Sequence, residues 1–290
     1  MPSFLKSYYG GRTLPHVAGV VRDLDANGMK ACVSLLPRFH LRPQGIDSEK
    51  AKYLAILPFL ETQGLSADLT VKLSQFGQRW RFADCVKALD EVASHCAEHR
   101  AFLWVDMEQS SLVDMTLEAF EHTARTHRNV GICLQTYLRR TAADLEALLV
   151  NGHPVRLVKG YYRERPPACF ETWKETTQNL ARLLPALLEK SRRPAIGTHD
   201  PWLIEQARQA VAKARVLEPA GAGGAAPVSP LEFQFFLGAR PELPAALTRE
   251  GRSVRVYIPY GALLPYILHS LPFMDLSRNL QRVLGFQTVR

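Results

Sequence analysis

The chain has 290 residues, 47% of them hydrophobic and 22% charged, which is the composition of an ordinary globular protein with a sizeable core. The net charge of +8 favours anionic partners, but the basic residues are scattered, which argues against a nucleic-acid-binding protein. Five cysteines without a CxxC pair argue against a disulfide framework and favour a cytoplasmic location. No run approaches the roughly 18 apolar residues of a membrane span, so we expect any membrane contact to be peripheral.

Eight apolar runs along the chain predict buried strands. They are Met29–Leu36, Leu69–Phe76, Phe102–Glu108, Val130–Tyr137, Val155–Tyr162, Ala195–Asp200, Glu232–Gly238 and Val254–Tyr260. Helical spacing of apolar residues separates most of them, in Ser48–Thr62, Phe82–His95, Thr116–Thr126, Thr141–Val150, Thr172–Leu188, Pro201–Ala214, Glu242–Glu250 and a last segment from Leu263 to Val283. This alternation predicts an α/β fold, and eight units in fewer than 300 residues favour a (β/α)8 TIM-like barrel over an open sheet.

One low-complexity stretch interrupts the alternation. Residues 218–230 read EPAGAGGAAPVSP and fall between the sixth and seventh predicted strands. Their Gly, Ala and Pro content predicts a flexible loop, either a plain connector or a lid. Because it lies within the alternation, we interpret it as an insertion and expect residues 1–290 to form a single domain.

Polar side chains lie near the carboxyl ends of the predicted strands, where active sites form in such barrels. They are Lys72, Gln75, Asp106, Glu108, Gln135, Tyr137, Arg156, Lys159, Tyr162, Arg163, Thr198, His199, Asp200, Glu232, Gln234, Arg255, Tyr257 and Tyr260. Burying so many polar groups is costly unless they are paired or functional. Some members, Glu232 and Asp200 among them, have a structural alternative as partners of Arg or Lys. The excess of cations suits a phosphate-bearing cofactor better than a hard metal ion, and we predict no metal site.

Seven of these segments, in this order, resemble the proline dehydrogenase family, in its monofunctional bacterial form. They are VKLSQFG (71–77), DMEQS (106–110), LQTYLRRT (134–141), RLVKGYYRE (156–164), GTHD (197–200), EFQFFLG (232–238) and VRVYIPYG (254–261). The resemblance runs from about Tyr9 to Gly261. It implies a single barrel that binds FAD without a Rossmann motif and has a C-terminal helix over its mouth.

The resemblance also implies an activity. This is oxidation of the amine C–N bond of L-proline to 1-pyrroline-5-carboxylate by hydride transfer to flavin N5. The implied partners are a small-molecule amine substrate and a quinone or other electron acceptor. A membrane quinone would place the protein in peripheral contact with the inner face of the membrane.

Roles carry over to residues that match the family's motifs. The implied catalytic residues are Arg156, beside flavin N5, and Asp106, which orients the substrate-binding lysine. The implied substrate-binding residues are Lys72, Tyr162, Tyr257 and His269. The implied cofactor-binding residues are Met107, Gln135, Arg156, Val158, Lys159, Gly160, Tyr161, Thr198 and His199.

The chain departs from the family pattern in three places. The family's last helix carries a tandem Arg pair that binds the carboxylate of proline, and residues Pro265–Ser270 have none. Residues Leu36–Phe39 replace an acidic, Gly-containing segment, and Tyr161 stands where alanine is usual. Losing two charge-assisted contacts would cost about 3–6 kcal/mol of substrate binding.

Three interpretations of these departures remain open. In the first, Arg38 or His269 replaces the missing arginines and the substrate is proline. In the second, the substrate is a proline derivative, or another cyclic or secondary amine, without a free carboxylate. In the third, the chain is a non-catalytic flavin-binding regulatory protein.

Overall fold

Eight parallel strands form a closed barrel in the computed structural model, which describes residues 8–36, 43–216 and 231–263. The strands are β1 (Lys30–Leu35), β2 (Asp68–Lys72), β3 (Leu103–Asp106), β4 (Val130–Gln135), β5 (Val155–Val158), β6 (Pro194–Gly197), β7 (Glu232–Phe236) and β8 (Ser253–Tyr260). Each strand pairs with the next, and β8 pairs with β1 from Lys30↔Arg255 to Leu35↔Tyr260, which closes the barrel. The predicted α/β barrel class is therefore confirmed.

Helices surround the barrel and bury one face against it. They are α1 (Leu14–Ala26), α2 (Pro43–Leu54), α3 (Ile56–Thr62), α4 (Phe82–Glu98), α5 (Val113–Ala124), α6 (Thr141–Val150), α7 (Trp173–Lys190), α8 (Pro201–Val216) and α9 (Glu242–Arg249). Helix α7 begins with a capping box between Thr172 and Glu175 and buries Leu180, Leu184 and Leu187. Each such leucine contributes about 1.5–3 kcal/mol through its removal from water.

The barrel interior contains a buried layer of its own, apart from the core between strands and helices. Cys32, Phe102, Trp104 and Ala195 form this separate apolar cluster. Gly131 on β4 makes room for the aromatic pair, because a Cβ there would lie 2.8 Å from the Trp104 ring. The centroid of the Trp104 ring lies 5.7 Å from Arg193 Cζ, part of a charged floor at the amino ends of the strands, and 5.1 Å from Arg156 Cζ on the side of the mouth at their carboxyl ends.

The floor holds two residues that the strand-end reasoning placed at the mouth. Glu232 is the first residue of β7 and Arg255 is the third residue of β8. Their side chains pair with each other, Nε to Oε1 at 2.9 Å, and both contact the floor ion pairs of Asp68 and Arg193. Glu232 therefore pairs with arginines, as in the structural alternative, but it does so at the amino ends of the strands and not at the mouth.

The observed elements differ from the predicted ones in their bounds. Predicted strands extended too far at their carboxyl ends, and Leu73–Phe76 is a 3-10 turn instead of strand. Helix α1 was not predicted, and the predicted Ser48–Thr62 helix is two helices. None of the described helices is long and apolar enough to span a bilayer. The 218–230 loop and the C-terminal helix over the mouth lie outside the described residues, and the single-domain assignment stays a prediction.

Candidate active site

Asp106, the last residue of β3, is the centre of a buried polar cluster at the barrel mouth. One carboxylate oxygen, Oδ1, accepts hydrogen bonds from Arg156 Nη2 and from Thr70 Oγ1, the latter at 3.0 Å. The other oxygen, Oδ2, lies 2.5 Å from Lys72 Nζ and 3.0 Å from the hydroxyl of Tyr257. Strands β2, β3, β5 and β8 therefore bring together four residues that the family resemblance singled out.

The cluster fixes the charge of its members. Burial by itself would raise the pKa of Asp106, but Lys72 and Arg156 outweigh it and hold that pKa below its ordinary value. Burial would lower the pKa of Arg156, yet its neighbours, Asp106 among them, keep that pKa above its ordinary value. Asp106 is thus an ionised, weakly basic carboxylate between two cations.

Tyr257 joins this cluster to β1 and to an aromatic wall. Its hydroxyl accepts a hydrogen bond from Lys72 Nζ at 2.9 Å and lies 2.7 Å from Ser34 Oγ. The ring stacks on Phe236 with centroids 5.5 Å apart and an interplanar angle of 19°. Ser34 and Phe236 had no role in the sequence prediction, although their strand positions face the same mouth.

A second aromatic stack follows β5. The rings of Tyr161 and Tyr162 lie 4.6 Å apart at 20° to each other, and Tyr162 is buried. His269 and Arg38, named as candidates for the substrate carboxylate, lie outside the described residues, so their predicted roles stay predictions.

Gln135 and Gly160 form a packed corner beside the mouth. Gln135, the last residue of β4, donates from Nε2 to the carbonyl of Glu108 at 2.6 Å. Gly160 has a φ of +91°, and a Cβ there would lie 2.2 Å from Tyr137 Cδ1 and 2.9 Å from Gln135 Oε1. A side chain at position 160 would therefore displace both neighbours.

The predicted cofactor residues on β5 and β6 are held by partners of their own. Lys159 Nζ lies 2.6 Å from Asp200 and 4.3 Å from the centroid of the Trp173 ring. Burial lowers the pKa of Lys159 even though Asp200 raises it. Thr198 Oγ1 accepts from the Asp200 backbone N–H at 3.2 Å, and Val158 ends β5. Asp200 thus orders this segment.

His199 has its tautomer set by the backbone. Its Nε2 accepts a hydrogen bond from the Phe236 N–H at 2.9 Å. A neutral imidazole that accepts at Nε2 carries its proton at Nδ1, so the other ring nitrogen is a donor.

Two carboxylates connect the loops around the mouth: Glu108, one of the predicted strand-end polar residues, and Glu164, for which no role was predicted. Glu108 accepts from the N–H and the hydroxyl of Ser74, at 3.1 and 2.8 Å. Glu164 accepts in the same way from Ser110, at 2.7 and 2.6 Å. Met107 is buried and lies directly before Glu108, in the segment that these hydrogen bonds hold in place. These Ser–Glu contacts join residues that are far apart in the sequence, so no local sequence pattern predicts them.

The fold and the mouth define a (β/α)8 barrel with a cationic, aromatic-lined site, and comparison with known proteins gives its family. A sequence model of the proline dehydrogenase family matches residues 20–271. Because this match covers most of the chain, the protein belongs to the proline dehydrogenase family, whose members are oxidoreductases.

Individual relatives agree with that assignment. The chain is 25% identical over 256 residues to proline dehydrogenase 1 of Bacillus subtilis (strain 168), covering 88% of this chain and 82% of the relative. It is 26% identical over 267 residues to the proline dehydrogenase of Deinococcus radiodurans, covering 90% and 83%.

Solved structures share the fold. The barrel resembles proline utilization A from Bdellovibrio bacteriovorus inactivated by N-propargylglycine, with a TM-score of 0.79 at 22% identity. The match covers 92% of this chain and 32% of that one, so the present chain spans about a third of the larger protein's length.

Proposed function

We propose that the protein oxidises the amine C–N bond of L-proline to 1-pyrroline-5-carboxylate, with FAD as the hydride acceptor and a quinone or other acceptor as the final oxidant. The observation that carries this proposal is the cluster in which Asp106 holds Lys72 and Arg156 together at the mouth of a barrel of this family. The Lys72 and Arg156 side chains are 9% and 4% exposed, so their charges act in a water-poor site where electrostatic effects are strong.

The residues present fit an anionic flavin cofactor. Arg156 Nε is buried and has no hydrogen-bond partner among the described residues, which leaves a donor for an acceptor that this part of the chain does not supply. The mouth also carries buried cations, which suit the phosphates of such a cofactor. The residues that would hold FAD are Met107, Gln135, Arg156, Val158, Lys159, Gly160, Tyr161, Thr198 and His199. The chemistry that bound FAD supplies is acceptance of a hydride at N5.

The chain's own residues contribute charge and position. Arg156 keeps its positive charge at every relevant pH and stabilises negative charge that develops on the cofactor. Asp106, a weak base because of its lowered pKa, orients Lys72 toward the substrate side instead of accepting a proton. Tyr257 and Tyr162 form aromatic walls for the ring of the substrate. Water accepts the amine proton, since no described side chain of the cluster is a suitable base.

Product formation tests this function. The purified protein, supplied with FAD and a soluble quinone, is incubated with L-proline, and 1-pyrroline-5-carboxylate is trapped as its coloured adduct with o-aminobenzaldehyde. We expect product and reduced quinone in a one-to-one ratio, and their loss in Arg156→Met. A protein that binds no FAD, or that forms no product from L-proline with a quinone or with an artificial electron acceptor, would contradict the proposal.

A second candidate substrate is a proline derivative without a free carboxylate. The observation that favours it is that each of the three buried cations described at the mouth already has a carboxylate partner. Lys72 and Arg156 share Asp106, and Lys159 pairs with Asp200. A comparison of kcat/KM for L-proline and L-prolinamide decides between the two. A higher value for the amide supports the second candidate, and a much higher value for proline eliminates it.

A further inference from the structure

We propose that Gln234 is a positioning residue for Arg156, and that Glu232 fixes the orientation of its amide. This inference rests on the proposed function, in which Arg156 faces the cofactor. Gln234 lies in the middle of β7, inside the barrel, where its side chain is buried. It connects the mouth to the charged floor.

The amide of Gln234 has one possible orientation. Arg156 Nη1 donates to Gln234 Oε1 at 2.8 Å, and Gln234 Nε2 donates to Glu232 Oε1 at 2.7 Å. A guanidinium has only donors and an ionised carboxylate has only acceptors, so the amide oxygen must face Arg156 and the nitrogen must face Glu232. Rotating the amide by 180° would oppose donor to donor and acceptor to acceptor.

Glu232 is itself held from below. Its two oxygens accept from Arg255 Nε and Nη2 at 2.9 and 3.1 Å, and Arg193 Nη2 lies 3.3 Å away. Arg255 also donates to the Ala31 carbonyl at 2.8 Å and lies 3.1 Å from Asp68. Bidentate pairing of this kind fixes a carboxylate in both position and plane. The floor is therefore a rigid base for Gln234.

Gln234 holds Arg156 at a nitrogen that its other described hydrogen bonds do not reach, because those bonds are made by Nη2. Its Nη2 donates to Asp106 and, at 3.4 Å, to Thr70 Oγ1, its Nη1 donates to Gln234, and its Nε has no hydrogen-bond partner among the described residues. Trp104 lies beneath the guanidinium, with its ring centroid 5.1 Å from Arg156 Cζ. Removal of Gln234 takes away the acceptor for Nη1 and leaves the guanidinium held through Nη2 alone, so its plane is less well defined.

A double-mutant cycle tests the proposal. Gln234→Met keeps the side-chain size and removes both hydrogen bonds, and Arg156→Met removes the charge. A matched control is Gln78→Met, because Gln78 is another buried glutamine, bonded to Thr116 Oγ1 at 2.7 Å and outside the mouth. The readouts are the midpoint potential of bound FAD and kcat for L-proline.

We expect Gln234→Met to lower the potential and to lower kcat by about tenfold to a hundredfold, the factor that one hydrogen bond to a charged group carries. In the Arg156→Met background it should not change the potential further, whereas Gln78→Met in the wild-type background should leave both the potential and kcat unchanged. Additive effects of Gln234→Met and Arg156→Met on the potential, or an equal effect of Gln78→Met, would show a merely structural role and overturn the proposal.

A readout without cofactor separates this inference from the proposed function. In the 15N-arginine-labelled apoprotein, the Arg156 side-chain N–H signals are assigned by their loss in Arg156→Met. We expect Gln234→Met to shift these signals and speed their exchange with solvent, and Gln78→Met to leave them unchanged. Unchanged Arg156 signals in Gln234→Met would refute the positioning role. If the signals respond but Arg156→Met leaves the FAD potential unaltered, the positioning role stands and the proposed function of Arg156 fails.

Discussion

The guanidinium of Arg156 donates to the carboxylate of Asp106 across the inside of the barrel, from β5 to β3, with β4 between them. The contact is therefore made through the barrel interior and not along a sheet neighbour. The contact joins Arg156, the second residue of β5, to Asp106, the last residue of β3. Both side chains are largely shielded from water.

Replacement of Asp106 by Asn should damage both stability and activity. The neutral amide leaves Lys72 and Arg156 without their shared anion, and breaking a buried ion pair in this way costs about 3–5 kcal/mol. We expect urea unfolding to show a loss of this size and proline-dependent flavin reduction to slow by more than tenfold. Asp84→Asn, at an exposed ion pair with Arg81, is the control and should cost less than about 1 kcal/mol. Equal effects of the two variants would contradict the assignment.

Gly160→Ala should remove cofactor binding. The φ of +91° and the 2.2 Å approach to Tyr137 leave no space for a methyl group, and such strain costs about 1–3 kcal/mol or more. We expect a lower melting temperature and a colourless preparation. Gly19→Ala is the matched control, because Gly19 lies in α1 with no atom within 4 Å of an added Cβ. Alanine is the better helix former, so that variant should be as stable as the wild type or more so. A yellow Gly160→Ala protein would refute the prediction.

Glu232 should stabilise the fold above acidic pH. Burial would raise its pKa, but Arg255 and its other partners lower it from 4.5 to about 2. Because the folded-state pKa is depressed, the stabilisation is present above about pH 4.5 and is lost as the pH falls toward 2. The linkage amounts to about 3 kcal/mol at most. Glu232→Gln should lower stability at neutral pH and flatten the acid side of the stability curve. An unchanged acid dependence in urea unfolding would contradict this.

Glu108 should affect the pH dependence of stability in the opposite direction to Glu232. Burial raises its pKa above 4.5 in spite of Lys72 and the Ser74 hydrogen bonds. A raised folded-state pKa gives a contribution that is present below the unfolded-state pKa and is lost as the pH rises through the folded-state pKa. Glu108→Gln removes the ionisation and keeps an acceptor for the Ser74 N–H. We therefore expect this variant to match or exceed wild-type stability at neutral pH and to lose that advantage in acid. A large loss of melting temperature in Glu108→Gln at neutral pH would contradict this prediction.

The fold was largely predictable from the sequence because eight apolar runs alternated with helical spacing. The carboxyl ends of the strands were not predictable in the same way. Residues such as Leu73 and Phe76 are buried in a 3-10 turn, and in the sequence they cannot be told from strand residues. Helix α1 was predictable as well, because Val17, Val21 and Leu24 lie at helical spacing on one buried face.

The site was predictable only in part. Alternation along β7 indicates that Glu232 and Gln234 face the interior. Glu232 is the first residue of the predicted strand, so it belongs at the amino end of the barrel, and the prediction that placed it at the mouth was wrong. The roles of Lys72, Asp106, Arg156 and Tyr257 came from the family resemblance. Their mutual contacts form only when the barrel closes and brings different strands together, and no local sequence pattern predicts them.

The most direct test of FAD-dependent proline oxidation is an anaerobic spectrum of the purified protein before and after addition of L-proline. We expect a yellow protein whose flavin absorption bleaches on addition of proline, with dithionite producing the same final spectrum. A yellow protein that dithionite bleaches and L-proline at any concentration does not would contradict proline as the substrate.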